Sequence, residues 1–101
     1  MMAEKKHSIW VFGDYRNYFQ NRVTLQLLSR ANDLAKMIDA EVCATVFGHE
    51  VDEWVGEYIA HGASKVYVCD HPALTFYSTD IYVVLMERLV RQYGPEIILV
   101  G

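Results

Sequence analysis

The chain has 101 residues, of which 52% are hydrophobic and two are prolines, which is enough for one domain with an ordinary core. Its formal net charge of −4 argues against a nucleic-acid partner, because such a protein needs a concentrated basic surface. No apolar run approaches the roughly 20 residues that cross a bilayer. The opening "MMAEKK" does not continue into a signal peptide, so we expect a cytoplasmic protein that makes no membrane contact.

Four short apolar segments predict β-strands, and their apolarity is continuous rather than alternating. They are Ile9–Phe12, Val42–Phe47, Val66–Cys69 and Ile97–Val100. Continuous apolar strands are typical of a parallel sheet that is covered on both faces. Two of the segments contain the cysteines, Cys43 and Cys69, which lack the close spacing of a zinc or redox motif. We therefore expect two buried, reduced thiols.

Amphipathic patterns between these strands predict three helices. The first has an apolar stripe at spacings of three and four, formed by Leu27, Leu28, Ala31, Leu34, Ala35 and Ile38. The second ends at His61-Gly62 and is marked by Val51, Trp54, Val55, Tyr58 and Ile59. Trp54 is accordingly predicted to belong to the core. The third begins at Ser78 or Thr79, whose hydroxyl can cap the helix, and ends at Gly94-Pro95. Its predicted apolar face consists of Ile81, Tyr82, Leu85, Met86, Leu89 and Tyr93.

The resulting order is βαβαβαβ, and right-handed crossovers lead to a parallel sheet with the strand order 3-2-1-4. We predict a three-layer, Rossmann-like α/β fold in which residues 1–101 form one domain. Two helices then cover one face of the sheet and the third lies alone on the other. No element follows the closing "IILVG". We therefore expect the domain to be truncated and to depend on further chain or on a partner.

After the first strand the sequence predicts a bulky, aromatic loop, "GDYRNYFQNR" from Gly13 to Arg22, before the first helix. A phosphate-binding loop at this place needs several glycines, and none lies between Asp14 and Val23. Exposed aromatic and arginine side chains instead dominate protein–protein contacts. The candidates for a partner interface are Tyr15, Arg16, Tyr18 and Phe19. Packing over the sheet edge and direct contact with a ligand stay open as alternatives.

Polar side chains follow three of the predicted strands, at the edge where open parallel sheets usually bind ligands. They are Asp14, His49, Asp70 and His71. Histidine and carboxylate together can bind a divalent metal, but nothing in their spacing fixes their mutual distance. The alternative is that they cap turns. A phosphoacceptor site needs two acids after the first strand, where only Asp14 stands. We predict no catalytic, cofactor-binding or metal-binding residue in this chain.

Several motifs together resemble one family. They are the segment "VTLQLLSRANDLAKMIDAEVCATVFGHE", which holds the first helix and the second strand, the run "GASKVYVCD" from Gly62 to Asp70, and the closing "PEIILVG". These segments resemble the N-terminal domain of the electron transfer flavoprotein α subunit, over nearly the whole chain from about Ile9 to Gly101. The resemblance implies a nucleotide-binding-like domain that has lost its nucleotide. That implication agrees with the missing glycines.

The same resemblance implies the cofactor and the partners. In this family the α subunit pairs with a β subunit, and FAD is held by the α subunit's C-terminal domain, which this chain lacks. The heterodimer would carry electrons between acyl-CoA-type or other flavin dehydrogenases and an acceptor, as an electron carrier rather than an enzyme. This chain would then be a scaffold and docking domain that holds no flavin. The alternative is a nucleotide-binding module of the universal-stress type, which needs a glycine-rich loop after its fourth strand.

Overall fold

The computed structural model describes residues 7–76 and 78–101, so the opening "MMAEKK" lies outside the described residues. Its strands are β1 (His7–Phe12), β2 (Ala40–Gly48), β3 (Lys65–Asp70) and β4 (Ile97–Leu99). Its helices are α1 (Tyr18–Ile38), α2 (Asp52–Ala60) and α3 (Thr79–Tyr93), with a short 3₁₀ helix at Pro72–Leu74 before α3. The predicted alternation of strands and helices is confirmed.

All pairs in the sheet are parallel, and the strand order is β3-β2-β1-β4. In the centre, Ile9 of β1 is in register with Val42 of β2 on one side and with Ile97 of β4 on the other. The predicted order 3-2-1-4 and the Rossmann-like α/β class are therefore confirmed. This order places the reversal of winding direction between β1 and β4, beside the end of β1.

One face of the sheet packs against α1 and α2. Ile9, Val11, Val42, Ala44 and Val46 alternate toward this face and form one buried cluster with α1 and α2. Small residues let α1 approach closely, since Ala31 and Ala35 are buried beside Leu28. The predicted α1 stripe is too wide, because Leu34 and Ile38 are exposed. Trp54 packs against the cluster, as predicted, although it is only partly buried.

The opposite face is aromatic, and of the three described α-helices it is α3 that packs on it. Trp10 and Tyr67 meet with ring centroids 4.9 Å apart, and Tyr93 of α3 lies against both rings. Nearer the carboxyl edge, the Tyr82 ring contacts Phe12 and Phe47. Within the described α3 residues no side chain is fully buried, which confirms that this face is only partly covered.

The two cysteines are both free, but only Cys43 is buried. The expectation of a fully buried Cys69 is wrong, because β3 is an edge strand of the described sheet and has a neighbour on one side only. Burial raises the pKa of the Cys43 thiol to about 11, so this thiol stays protonated near neutral pH.

Glycines end α2 and α3 where the sequence predicts them. Gly62 has a φ of +107° after α2, and Gly94 has a φ of +61° after α3, in the region that favours glycine. The predicted hydroxyl cap of α3 is wrong: Ser78 occupies the cap position, but its side chain makes no capping hydrogen bond. Among the residues that the structure describes, no helix is both long enough and apolar enough to cross a membrane.

Candidate functional site

A cleft of about 340 Å³ opens at the carboxyl end of β1, next to the point where the winding direction reverses. This is the usual location of ligand sites in open α/β sheets. The cleft is lined by the rings of Phe12, Tyr15, Trp54 and Tyr82 and by the charged pair Asp14 and Arg16. Gly13, Leu74 and Thr75 complete the lining.

The loop between β1 and α1 is shorter than the sequence suggests. Helix α1 begins at Tyr18, because Asn17 caps it by accepting a 2.9 Å hydrogen bond from the backbone N–H of Gln20. The interpretation that Tyr18 and Phe19 lie in a loop is therefore wrong. They form the first turn of α1, and the loop proper is the five residues 13–17.

Tyr15 is a packing residue. Its ring stacks on Trp54 with centroids 5.2 Å apart, and its hydroxyl donates to the backbone oxygen of Phe47 at 2.9 Å. The Tyr82 hydroxyl donates to the same oxygen at 3.0 Å. Burial, with Tyr82, Asp70 and Asp14 nearby, raises the pKa of Tyr15 to about 12, so its hydroxyl remains a donor. Two tyrosines thus tie the loop and α3 to the end of β2.

Arg16 and Asp14 form a closed ion pair beside the cleft. The Arg16 Nη2 lies 2.7 Å from Asp14 Oδ2, and the Arg16 Nε donates to Asp14 Oδ1 at 2.9 Å. The backbone N–H of Asp14 donates to the Thr24 hydroxyl at 3.0 Å, which ties the loop to α1. Because Asp14 offsets the charge of Arg16, the loop offers a neutral pair rather than a cationic site for an anion.

Tyr18 and Phe19 stand on the outside of the first turn of α1. Their exposed fractions are 79% and 70%, and the Arg22 guanidinium lies 5.9 Å from the centre of the Tyr18 ring. Large aromatic rings that are this exposed are unusual away from binding surfaces. Of the four interface candidates, these two and Arg16 are exposed, whereas Tyr15 is half-buried.

Asn21, which the sequence does not single out, joins α1 to α2. Its side-chain amide donates to Glu57 Oε1 at 2.9 Å, and its oxygen accepts from the Tyr58 hydroxyl at 2.7 Å. Tyr58 is fully buried, and burial raises the pKa of its hydroxyl. These bonds fix the angle at which the first turn of α1 meets the cleft. No local signal marks Asn21, because its partners lie on another helix.

The polar residues that follow the strands act mainly as caps of turns. The Asp70 carboxylate accepts from the backbone N–H of Glu50 at 2.8 Å and of Val51 at 3.2 Å, and His71 Nδ1 accepts from Ala73 at 3.0 Å. His49 Nδ1 lies 3.4 Å from Asp70. The turn-capping alternative is thereby confirmed for Asp70 and His71. Within residues 7–76 and 78–101, no group of three or more possible metal ligands comes together.

Asp70 should make stability depend on acid pH. The two backbone N–H donors, helped by His49, hold the pKa of Asp70 below its ordinary value of 3.8. A lowered folded-state pKa gives stability that is complete above the unfolded pKa and is lost as the pH falls through the folded one. We expect Asp70→Asn to flatten the loss of stability below about pH 4, measured by urea melts at several pH values.

The matched control is Asp33→Asn, which removes an exposed carboxylate on α1. In this variant the free energy of unfolding should fall with decreasing pH as steeply as in the unmodified chain. If the free energy of unfolding of the Asp70 variant depended on pH as steeply as that of the unmodified chain, the Asp70 cap would have no stabilising role.

Comparison with known proteins gives one family. The profile of the family described as "Electron transfer flavoprotein domain" matches residues 9–101. Among individual relatives, the electron transfer flavoprotein subunit alpha of Megasphaera elsdenii is 40% identical over 99% of this chain. The subunit alpha of Thermoanaerobacterium thermosaccharolyticum is 37% identical over 92% of it. The "Acryloyl-CoA reductase electron transfer subunit beta" of Anaerotignum propionicum is 39% identical over 92% of it.

The chain is much shorter than these relatives. It covers 29% of the Megasphaera protein, 28% of the Thermoanaerobacterium protein and 25% of the Anaerotignum protein. The chain thus spans about a quarter of the length of the curated relatives that it matches. The family match covers all four strands from Ile9 onward, which favours the flavoprotein interpretation over a universal-stress module.

Proposed function

Since the chain belongs to the electron transfer flavoprotein domain family, we propose that it is the N-terminal scaffold and docking domain of a longer α subunit. In this proposal the longer subunit pairs with a β subunit, and the heterodimer holds FAD outside residues 1–101. The heterodimer carries electrons from acyl-CoA-type or other flavin dehydrogenases to an acceptor. The chain is then part of an electron carrier rather than an enzyme.

The observation that carries the scaffold role is the construction of the junction between β1 and α1. A phosphate-binding junction needs open backbone, but here Gly13 is closed in: a Cβ on it would lie 2.6 Å from the Thr45 oxygen and 2.7 Å from the Tyr58 ring. Directly after Gly13, the junction contains the Asp14–Arg16 ion pair and the Tyr15 ring, which stacks on Trp54. The backbone N–H groups of Gly13, Asp14 and Arg16 already donate to the Thr45 oxygen, the Thr24 hydroxyl and the Asp14 carboxylate, so they are not free to bind a dinucleotide phosphate.

The docking role is supported by what the same junction exposes. Tyr18 and Phe19 turn their rings to solvent, while Arg16 and Arg22 flank them. Aromatic rings and arginines are the residue types that most often anchor protein interfaces. We propose that these side chains contact the β subunit or the remainder of the α subunit, with Tyr15 supporting them from the packed side. The Anaerotignum relative, by its name, serves an acryloyl-CoA reductase.

The scaffold role predicts that the 101-residue chain binds no flavin. We expect the purified chain to be colourless, and to remain so after incubation with FAD and desalting, because no open phosphate site is available. The measurement is the visible absorption spectrum, with the full-length heterodimer treated in the same way as the positive control. A stoichiometric flavin peak retained by the 101-residue chain would overturn the scaffold role.

A further inference from the structure

The solvent side of α3 carries a groove with an apolar floor and a charge at each end. Ile81 is 43% exposed and Val84 is 50% exposed, and with Leu85 they line a groove of about 360 Å³ along the helix. Asp80 stands at one end of this groove and Arg88 at the other. We call the surface formed by these five residues the α3 groove. Exposed apolar side chains that are framed by polar ones are typical of a binding surface.

The two charges at the ends of the α3 groove have no ion-pair partner within residues 7–76 and 78–101. The other two charged residues of α3, Glu87 and Arg91, form a pair of their own at 2.7 Å. Helix α3 therefore carries two acids and two arginines. Because these charges balance, the helix surface has no net charge that would repel a second copy of itself.

The order of residues along the α3 groove makes the helix complementary to itself. Asp80, Val84 and Arg88 follow one another at intervals of four, so they form one ridge that is about 12 Å long. Such ridges pack into the grooves of a facing helix. In an antiparallel pair with a two-fold axis at Val84, Asp80 of each copy faces Arg88 of the other. A parallel pair would instead bring like charges together, so the charge order selects the antiparallel arrangement.

We infer that the α3 groove binds a second copy of this chain, as a two-fold dimer with antiparallel α3 helices. Charge complementarity favours this occupant, because the copy supplies an arginine to Asp80 and an aspartate to Arg88 from the same ridge. The interface is a single pair of helices, so we expect a weak dimer that dissociates on dilution. The inference goes beyond the docking role and does not depend on it, since α1 with Tyr18 packs on the opposite face of the sheet.

Charge reversal tests this dimer in the 101-residue chain, with sedimentation equilibrium at several concentrations as the measurement. Asp80→Arg alone and Arg88→Asp alone each bring like charges together at both ends of the interface, and we expect each to weaken association by roughly tenfold or more. An equimolar mixture of the two variants should restore association, because every facing pair then joins an arginine to an aspartate. The matched controls are Asp33→Arg and Arg30→Asp on α1, which change the net charge equally and should associate like the unmodified chain.

The mixture gives the decisive result, since a general effect of charge or stability would not be reversed by mixing. A mixture that stays as monomeric as each variant alone would overturn the inference, as would an unmodified chain that is still monomeric at about 1 mM. Single variants that associate as strongly as the controls would place the contact on another surface and would equally overturn it. Circular dichroism establishes that each variant is folded. Should Asp80→Arg unfold the start of α3, the comparison of Arg88→Asp with Arg30→Asp decides alone.

Discussion

Gly13→Ala should lower the free energy of unfolding by about 3 kcal/mol, the upper end of what overpacking a closed site usually costs. The added methyl group would lie 2.6 Å from the Thr45 backbone oxygen and 2.7 Å from the Tyr58 ring. Neither can retreat easily, since Thr45 is in the middle of β2 and Tyr58 is fully buried and hydrogen-bonded to Asn21. The backbone at the end of β1 must shift, and the adjacent loop must shift with it.

The matched control is Gly56→Ala in α2, which adds the same methyl group in open space. Apart from its own helix, no described atom lies within 4 Å of that Cβ, so the change should raise stability by about 0.5–1 kcal/mol through helix propensity. Urea melts followed by circular dichroism measure both variants. A Gly13→Ala chain as stable as the unmodified one would mean that the junction is loosely packed, contrary to the distances at Gly13.

The strand order could be predicted because it depends on two properties that the sequence carries. The continuous apolarity of segments such as Val42–Phe47 identifies strands covered on both faces. The handedness of crossovers then limits how four such strands can be ordered. The ends of α2 and α3 can also be predicted from the sequence, because Gly62 and Gly94 stand where the backbone takes positive φ angles that other residues rarely adopt.

The apolar pattern predicts the start of α1 too late, after Arg22, although the sequence holds a local signal for the earlier start. Asn17 and Gln20 stand three residues apart, the spacing of an N-cap and the third helical residue, and the Gln20 N–H does bond the Asn17 side chain. The aromatic rings of Tyr18 and Phe19 obscured this signal, because they interrupt the apolar periodicity on the buried face of the helix. The cap pair therefore predicts a helix start at Tyr18, which the apolar periodicity alone does not.

The role of Tyr15 could not be derived from local sequence. Its ring stacks on Trp54 of α2, and its hydroxyl shares the Phe47 oxygen with Tyr82 of α3. These partners come from three separate elements, and they meet only because the order β3-β2-β1-β4 gathers the carboxyl ends of β1 and β2 beside α2 and α3. An aromatic residue in a polar segment is consistent with exposure or with packing, and only the assembled fold distinguishes them.

The division between packed and exposed residues determines how the docking role should be tested. We expect Tyr18→Ala combined with Arg22→Ala in the full-length α subunit to weaken binding of the β subunit roughly a thousandfold, if each anchor contributes about 2 kcal/mol. Both side chains are exposed, so the fold should be preserved. Tyr15 and Arg16 are poor choices, because Tyr15 packs on Trp54 and the loss of Arg16 would leave the largely buried Asp14 carboxylate without its partner.

Titration of β against each α variant, followed by flavin fluorescence, measures this loss. Met37→Ala is the control, since Met37 is equally exposed at the far end of α1, and its affinity for β should equal that of the unmodified subunit. Circular dichroism of each variant establishes that a lower affinity does not come from unfolding. If the double variant binds β as tightly as the control does, the first turn of α1 makes no contact with β. The exposed Tyr18 ring then contacts another part of the α subunit or stays in solvent.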